Sequence, residues 1–153
     1  MRRLEFSQEL PVPVEQAWEF FSDPANLSRI TPPGMGFIVT SKVPARIYPG
    51  LIITYRVSPL WGIPVKWVTE ITHVNEPFYF VDEQRSGPYA IWHHEHHFQE
   101  TETGVRMTDR LFYKVPFGLA GRLADAMLVY PRVMAIFSFR ERTLAGHPLF
   151  QPR

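Results

Sequence analysis

The chain has 153 residues, 45% hydrophobic and 20% charged, and its 16 Lys and Arg nearly balance 15 Asp and Glu. That mix excludes disorder, which needs low hydrophobicity and high net charge, and without a basic block to neutralise phosphates no nucleic acid partner is expected. There is no cysteine, so disulfides and thiolate chemistry are excluded, and any metal site must use the six His and carboxylates.

The N-terminus, Met1-Arg2-Arg3-Leu4-Glu5-Phe6, runs into polar residues rather than an apolar stretch, so no signal peptide is expected. No run approaches the length of a bilayer span, and the default expectation is a cytoplasmic protein. Residues 3–12 alternate, with Leu4, Phe6, Gln8 and Leu10 on one side and Glu5, Ser7 and Glu9 on the other, which predicts a strand with one wet face. Pro11 and Pro13 end it, because proline cannot donate to a ladder. Residues 14–21 have helical spacing through Ala17, Trp18, Phe20 and Phe21, stopped by Asp23-Pro24, and 25–30 predict one more short helical turn.

Thr31-Pro32-Pro33-Gly34-Met35-Gly36 reads as a loop, and Gly34-Met35-Gly36 is too short for a dinucleotide-binding turn. Six strand-like stretches follow, at 37–43, 51–58, 64–74, 78–85, 89–100 and 105–115, separated by Pro and Gly turns. Short connections predict an antiparallel meander, since parallel strands need long crossovers. From 117 to 145 Ala120, Leu123, Met127, Tyr130, Met134 and Phe137 recur every three or four positions, with Arg122, Asp125, Arg132 and Arg140 falling largely between them. Pro131 should kink this long helix.

The expected fold is α+β and a single domain over 1–153: an antiparallel sheet of six to seven strands wrapped round a long C-terminal helix, with two short helices after the first strand. A curled sheet round one helix tends to leave space between them.

Strand parity assigns the inner face. Trp92, His94, His96 and Phe98 share one side of their strand, Met107, Asp109, Leu111 and Tyr113 share a side of the next, and Phe80, Asp82 and Gln84 line up on the strand before. A buried carboxylate without a partner costs several kcal/mol or so, so these polar groups must pair or meet a ligand. A mostly apolar interior with a few convergent polar groups is the composition of small-molecule sites. The walls are expected from Tyr55, Trp67, Phe80, Trp92, Phe98, Tyr113, Met127 and Met134, with Asp82, Gln84, His94, His96 and Asp109 orienting polar groups of a small, largely apolar guest. An ordinary core with a closed His–Asp network is the plain alternative.

His94 and His96 could also present nitrogens to one ion with Asp109 as third ligand, but His-x-His is a short pattern and His93 and His97 make the strand His-rich on both faces. No metal and no cofactor is therefore expected. Acid–base catalysis by His94 or His96 with Asp109 is possible, since His titrates near neutrality and a carboxylate orients it. No Ser or Cys nucleophile stands beside them. The segment Ser58-Pro59-Leu60-Trp61-Gly62 reads as an apolar hairpin tip, which local packing explains and a protein-interaction role would also use.

Phe80-Val81-Asp82-Glu83-Gln84, Gly87-Pro88-Tyr89, the Trp92–Phe98 run, Met107-Thr108-Asp109-Arg110 with Tyr113, and Pro116-Phe117-Gly118 together resemble bacterial members of the START/Bet v 1-like superfamily. The opening from Pro11 to Leu27 is similar to that group as well, so the resemblance covers nearly the whole chain. It implies a helix-grip fold with a cavity between sheet and C-terminal helix. The superfamily includes lipid, sterol and hormone carriers, polyketide cyclases and aromatases, and its close bacterial group is mostly named cyclase/dehydrase-like or ligand-binding. Some members are fused to a sugar-epimerase-like domain, and because this chain stops just after the helix, no such fusion is expected. Fold does not fix function, so the name cyclase transfers poorly.

Overall fold

The computed structural model describes residues 1–58 and 62–151. The chain runs β1 (Arg2–Leu10), α1 (Val14–Phe21), two 3₁₀ turns (Pro24–Ile30 and Pro33–Met35), β2 (Ile38–Val39), β3 (Leu51–Val57), β4 (Val65–Asn75), β5 (Tyr79–Ser86), β6 (Ile91–Thr101) and β7 (Gly104–Lys114). A helical segment then extends from Gly118 to Gly146 as α2 (Gly118–Ala124), a π turn (Asp125–Val129) and α3 (Tyr130–Gly146). The seven strands form one open antiparallel sheet in the order β1-β7-β6-β5-β4-β3-β2. The expected α+β architecture of sheet, short helices after the first strand and long terminal helix is present. The tip around Trp61 lies outside the described residues.

The meander follows from its turns, and the parity reading holds along the central strands. On β7, Val105, Met107, Asp109, Leu111 and Tyr113 are buried in alternation, and on β6 so are His94, His96 and Phe98. β2 is much shorter than the expected strand over 37–43. Ser41 Oγ accepts the Thr54 N–H at 3.1 Å, so a side chain replaces the next backbone rung. β4 slips register against β5 near Val68 and again near Thr72, bends that favour curvature.

Two apolar clusters fill the concave side. In one, Trp18 of α1 meets Phe80 and Phe98 edge-on at 5.8 and 6.0 Å. In the other, Phe137 of α3 stacks on Phe6 of β1 at 4.0 Å between ring centres and packs with Leu111, Tyr113 and Val133. This second cluster clamps the helix across the sheet.

The long helix departs from the expected stripe. A regular helix would carry Leu123 and Met127 inward with Phe137, yet they are 63% and 67% exposed. Pro131 has no N–H and its ring clashes with the turn before it, and the chain accommodates this by a wide π turn over Asp125–Val129. The additional residue in that turn changes the helix register, so Gly121 is buried and Asp125 reaches inward, each two positions before the expected Leu123 and Met127. Beyond the π turn the inward row is Val133, Phe137, Arg140 and Leu144.

Candidate functional site

A pocket of about 180 Å³ lies between the concave sheet and α3, closed at its sides by α1 and the 3₁₀ turns. Of the expected wall residues, Tyr55, Trp67, Phe80 and Trp92 line it, as do the polar residues Asp82, His94 and His96. The helix contributes Arg132, Val133, Ile136, Phe137 and Arg140 instead of methionines.

Six expected residues are placed elsewhere. Met127 is turned to the surface by the π turn, and Met134 sits one position past Val133, off the pocket. Phe98 packs under Trp18 and Phe21 beyond the pocket's end. Gln84 turns to the following loop, where its Nε2 donates to the Tyr89 carbonyl at 2.7 Å. Tyr113 is buried, with its hydroxyl donating to Asp125 Oδ1 at 2.8 Å. Asp109 lies behind the two histidines rather than on the pocket surface.

The polar end of the pocket is a square on three strands. Asp82 of β5 is directly opposite His94 of β6, and His96 of β6 is directly opposite Asp109 of β7. The aligned hydrogen bonds run along the diagonals, a separation that long side chains span on a pleated sheet. His94 Nε2 donates to Asp109 Oδ1 at 2.9 Å, and His96 Nε2 donates to Asp82 Oδ2 at 2.9 Å. The tautomers are assigned from these ionised, acceptor-only carboxylates. His96 Nδ1 is also 2.9 Å from Asp109 Oδ1, but out of line for a hydrogen bond, so this nitrogen is buried with only an ionic neighbour. His94 Nδ1 is 3.5 Å from Asp82 Oδ2. The imidazoles lie 3.9 Å apart between ring centres.

Arg140 closes the square from the helix. Its Nη1 donates to Asp109 Oδ2 at 3.4 Å, its Cζ sits 4.9 Å from the centre of the Phe137 ring, and its Nε is buried with no partner among the described residues. The sequence reading placed this arginine between apolar positions. Its spacing with Val133, Phe137 and Leu144, at i, i+4, i+7 and i+11, is the signal that could have found it.

The charges organise themselves. Burial pushes Asp109 up, but the Arg140 charge, the His94 hydrogen bond and the adjacent His96 ring hold it well below the usual carboxylate range. Asp82 behaves alike: burial raises it, and the His96 hydrogen bond with the neighbouring positive charges brings it below its ordinary value. Burial and the charge of His96 lower His94, whereas for His96 the two carboxylates outweigh burial and raise it. Asp82 and Asp109 therefore bias His96 toward its protonated form, while Arg140 offsets part of their charge. His94 is the neutral member, oriented by Asp109 and bordering the pocket.

No curated protein matches the sequence. Among solved structures, a Chromobacterium violaceum protein superposes with a TM-score of 0.75 over 100% of both chains at 14% identity. A Mycobacterium smegmatis protein gives 0.66 at 22% identity over 94% of this chain and 90% of that one. The nucleoside-diphosphate sugar epimerase from Corynebacterium glutamicum also gives 0.66, at 21% identity, over 92% of this chain but 28% of the epimerase. These likenesses concern the fold. The model of the family described as polyketide cyclase / dehydrase and lipid transport matches residues 10–129, and the chain belongs to that family.

Proposed function

We propose that the protein binds a small, largely apolar molecule, of lipid, polyketide or aromatic character, in the pocket between sheet and α3. The observation that carries this reading is the composition of the pocket. Ile53, Tyr55, Trp67, Phe80 and Ile136 supply apolar wall, while Asp82, His94, His96 and Arg140 gather at one end. Apolar burial supplies affinity and the convergent polar groups fix orientation. A volume of about 180 Å³ is slightly above the roughly 150 Å³ that accommodates a benzene ring in an engineered apolar cavity. The fitting guest is thus one ring or a short acyl segment, with a hydroxyl or carbonyl at the polar end. Organic extraction of purified protein followed by mass spectrometry, with a thermal-shift panel of single-ring and short-acyl compounds, tests it. Neither a co-purifying compound nor any shift above solvent controls would refute the reading.

A second reading is favoured by one observation: His94 borders the pocket with its far nitrogen held by Asp109. A neutral, oriented imidazole is suited to move a proton on a bound guest, as in cyclase or dehydratase chemistry. On this reading His94→Gln removes turnover while guest affinity stays within a few fold. Equal loss of both leaves binding as the function.

A further inference from the structure

Asp82 Oδ2, His94 Nδ1 and His96 Nε2 are presented toward one another, all within 4.8 Å. The two edges from Asp82 Oδ2 are 2.9 Å to His96 Nε2 and 3.5 Å to His94 Nδ1. Ligand atoms at about 2.0–2.1 Å from a tetrahedral zinc ion stand about 3.3 Å apart, so these edges bracket the required spacing. We propose that Asp82, His94 and His96 form a binding site for a divalent first-row transition-metal ion at the polar end of the pocket. The sequence reading expected no metal and considered Asp109 as the third ligand beside the two histidines. The geometry exchanges that carboxylate for Asp82.

What distinguishes this trio from a chance His–Asp group lies behind it. The nitrogen of each ring that points away from the trio is 2.9 Å from the same oxygen, Asp109 Oδ1. A metal-bound imidazole characteristically gives its other N–H to a carboxylate, which sets ring orientation and ligand basicity, and here one carboxylate serves both rings. Asp109 is in turn held through its second oxygen by Arg140. His96 Nδ1, buried without an aligned partner, is the atom whose proton Asp109 would accept once His96 Nε2 is turned to an ion.

Charge and chemistry agree with the geometry. Two carboxylates face one guanidinium, so with both imidazoles neutral the cluster lacks positive charge, which a divalent cation supplies. Binding frees His96 Nε2 of the proton it otherwise donates to Asp82: a neutral ring carries that proton at Nδ1 toward Asp109 instead, and a doubly protonated ring releases it to solvent. Two imidazoles and one carboxylate suit zinc, iron(II), cobalt(II) or nickel(II) rather than calcium or magnesium. All three ligands border the pocket, so the remaining coordination positions face the space where a guest would sit. Metal loading can be measured on guest-free protein, so its failure is separable from failure of the binding function.

The test is titration of metal-stripped protein with zinc chloride by calorimetry, and with cobalt(II) by visible absorption. One ion per chain and a cobalt(II) band of a four- or five-coordinate nitrogen–oxygen site are expected. Asp82→Asn and His94→Gln should weaken zinc at least 100-fold, and Asp109→Asn 10–100-fold, as outer carboxylates do. His93→Gln with His97→Gln, on the opposite face of β6, should leave zinc affinity within twofold. Should the buried variants not fold, the wild-type cobalt(II) spectrum and the His93/His97 variant decide. No zinc or cobalt(II) binding by wild type, or loss of binding in the His93/His97 variant, overturns the proposal, as does retention of wild-type affinity by a folded Asp82→Asn.

Discussion

Arg140 Nη1 donates to Asp109 Oδ2 at 3.4 Å, tying the long helix to the central sheet through two residues that are 7% and 5% exposed. Removing one member of a buried pair strands the other, at a cost of about 3–5 kcal/mol. Because 3.4 Å is long for a charged hydrogen bond, Arg140→Met should fall toward the lower end of that range. Arg140→Met combined with Asp109→Asn should cost less than the two single changes summed. Urea denaturation of the four proteins measures the coupling, and strict additivity would deny it.

Gly121 marks the closest approach of the helix to the chain before it. A Cβ built there would land on the Pro116 carbonyl oxygen, which is backbone and cannot swing aside. Gly121→Ala is expected to destabilise by about 1–3 kcal/mol through overpacking, despite alanine's better helix propensity. A thermal melt at or above wild type would contradict the close contact.

The helix register makes a paired prediction. Val133 is 1% exposed and Met127 is 67% exposed. Val133→Ala should cost about 1–3 kcal/mol, while Met127→Ala should stay within about 0.5 kcal/mol of wild type. The reverse order would restore the unbroken stripe.

That comparison also shows where the sequence was legible. The strands and the inward sides of β5, β6 and β7 followed from period-two alternation, because a sheet that buries one face imposes that period directly. Asp82, His94 and His96 were readable in this way. The helix was less so, since a π turn shifts the register without changing composition, and Pro131 advertises a kink but not an added residue. Arg140 was hidden for another reason: a charged residue on an inward row is recognisable only when its partner is known, and Asp109 is 31 positions earlier. Which of the two inward aspartates faces the pocket depends on side-chain direction across three strands, which parity does not resolve.

The outer face of β6 carries a titrating ladder. His93 Nδ1 lies 2.8 Å from Glu83 and His93 Nε2 3.2 Å from Glu95, while His97 Nε2 lies 2.8 Å from Glu95. Burial lowers His93, but the Glu83 and Glu95 hydrogen bonds outweigh it and raise its pKa above 6.5. For Glu95 burial acts upward, and the bonds from His97 and His93 take it below 4.5. The raised His93 stabilises fully below 6.5 and loses that contribution as pH rises through its folded value. The lowered Glu95 stabilises fully above 4.5 and loses it as pH falls through its own. The stability difference between wild type and Glu95→Gln should therefore be greatest between pH 4.5 and 6.5 and shrink on both sides. Urea midpoints from about pH 3.5 to about pH 8 check this, and a flat difference would count against the ladder.

The binding reading is tested most directly by filling the pocket. Ile136 lines it from α3 and is only partly buried, so Ile136→Trp can occupy the space with little strain on the sheet. The measurement is titration of wild type and Ile136→Trp with a neutral single-ring aromatic probe that carries one hydroxyl, followed by NMR observation of the probe's own resonances. Saturable binding to wild type, weakened at least tenfold in a variant that keeps the wild-type fold, is the predicted result. Equal affinity in the two proteins, or no saturable binding to wild type, would contradict a guest held between the sheet and the C-terminal helix.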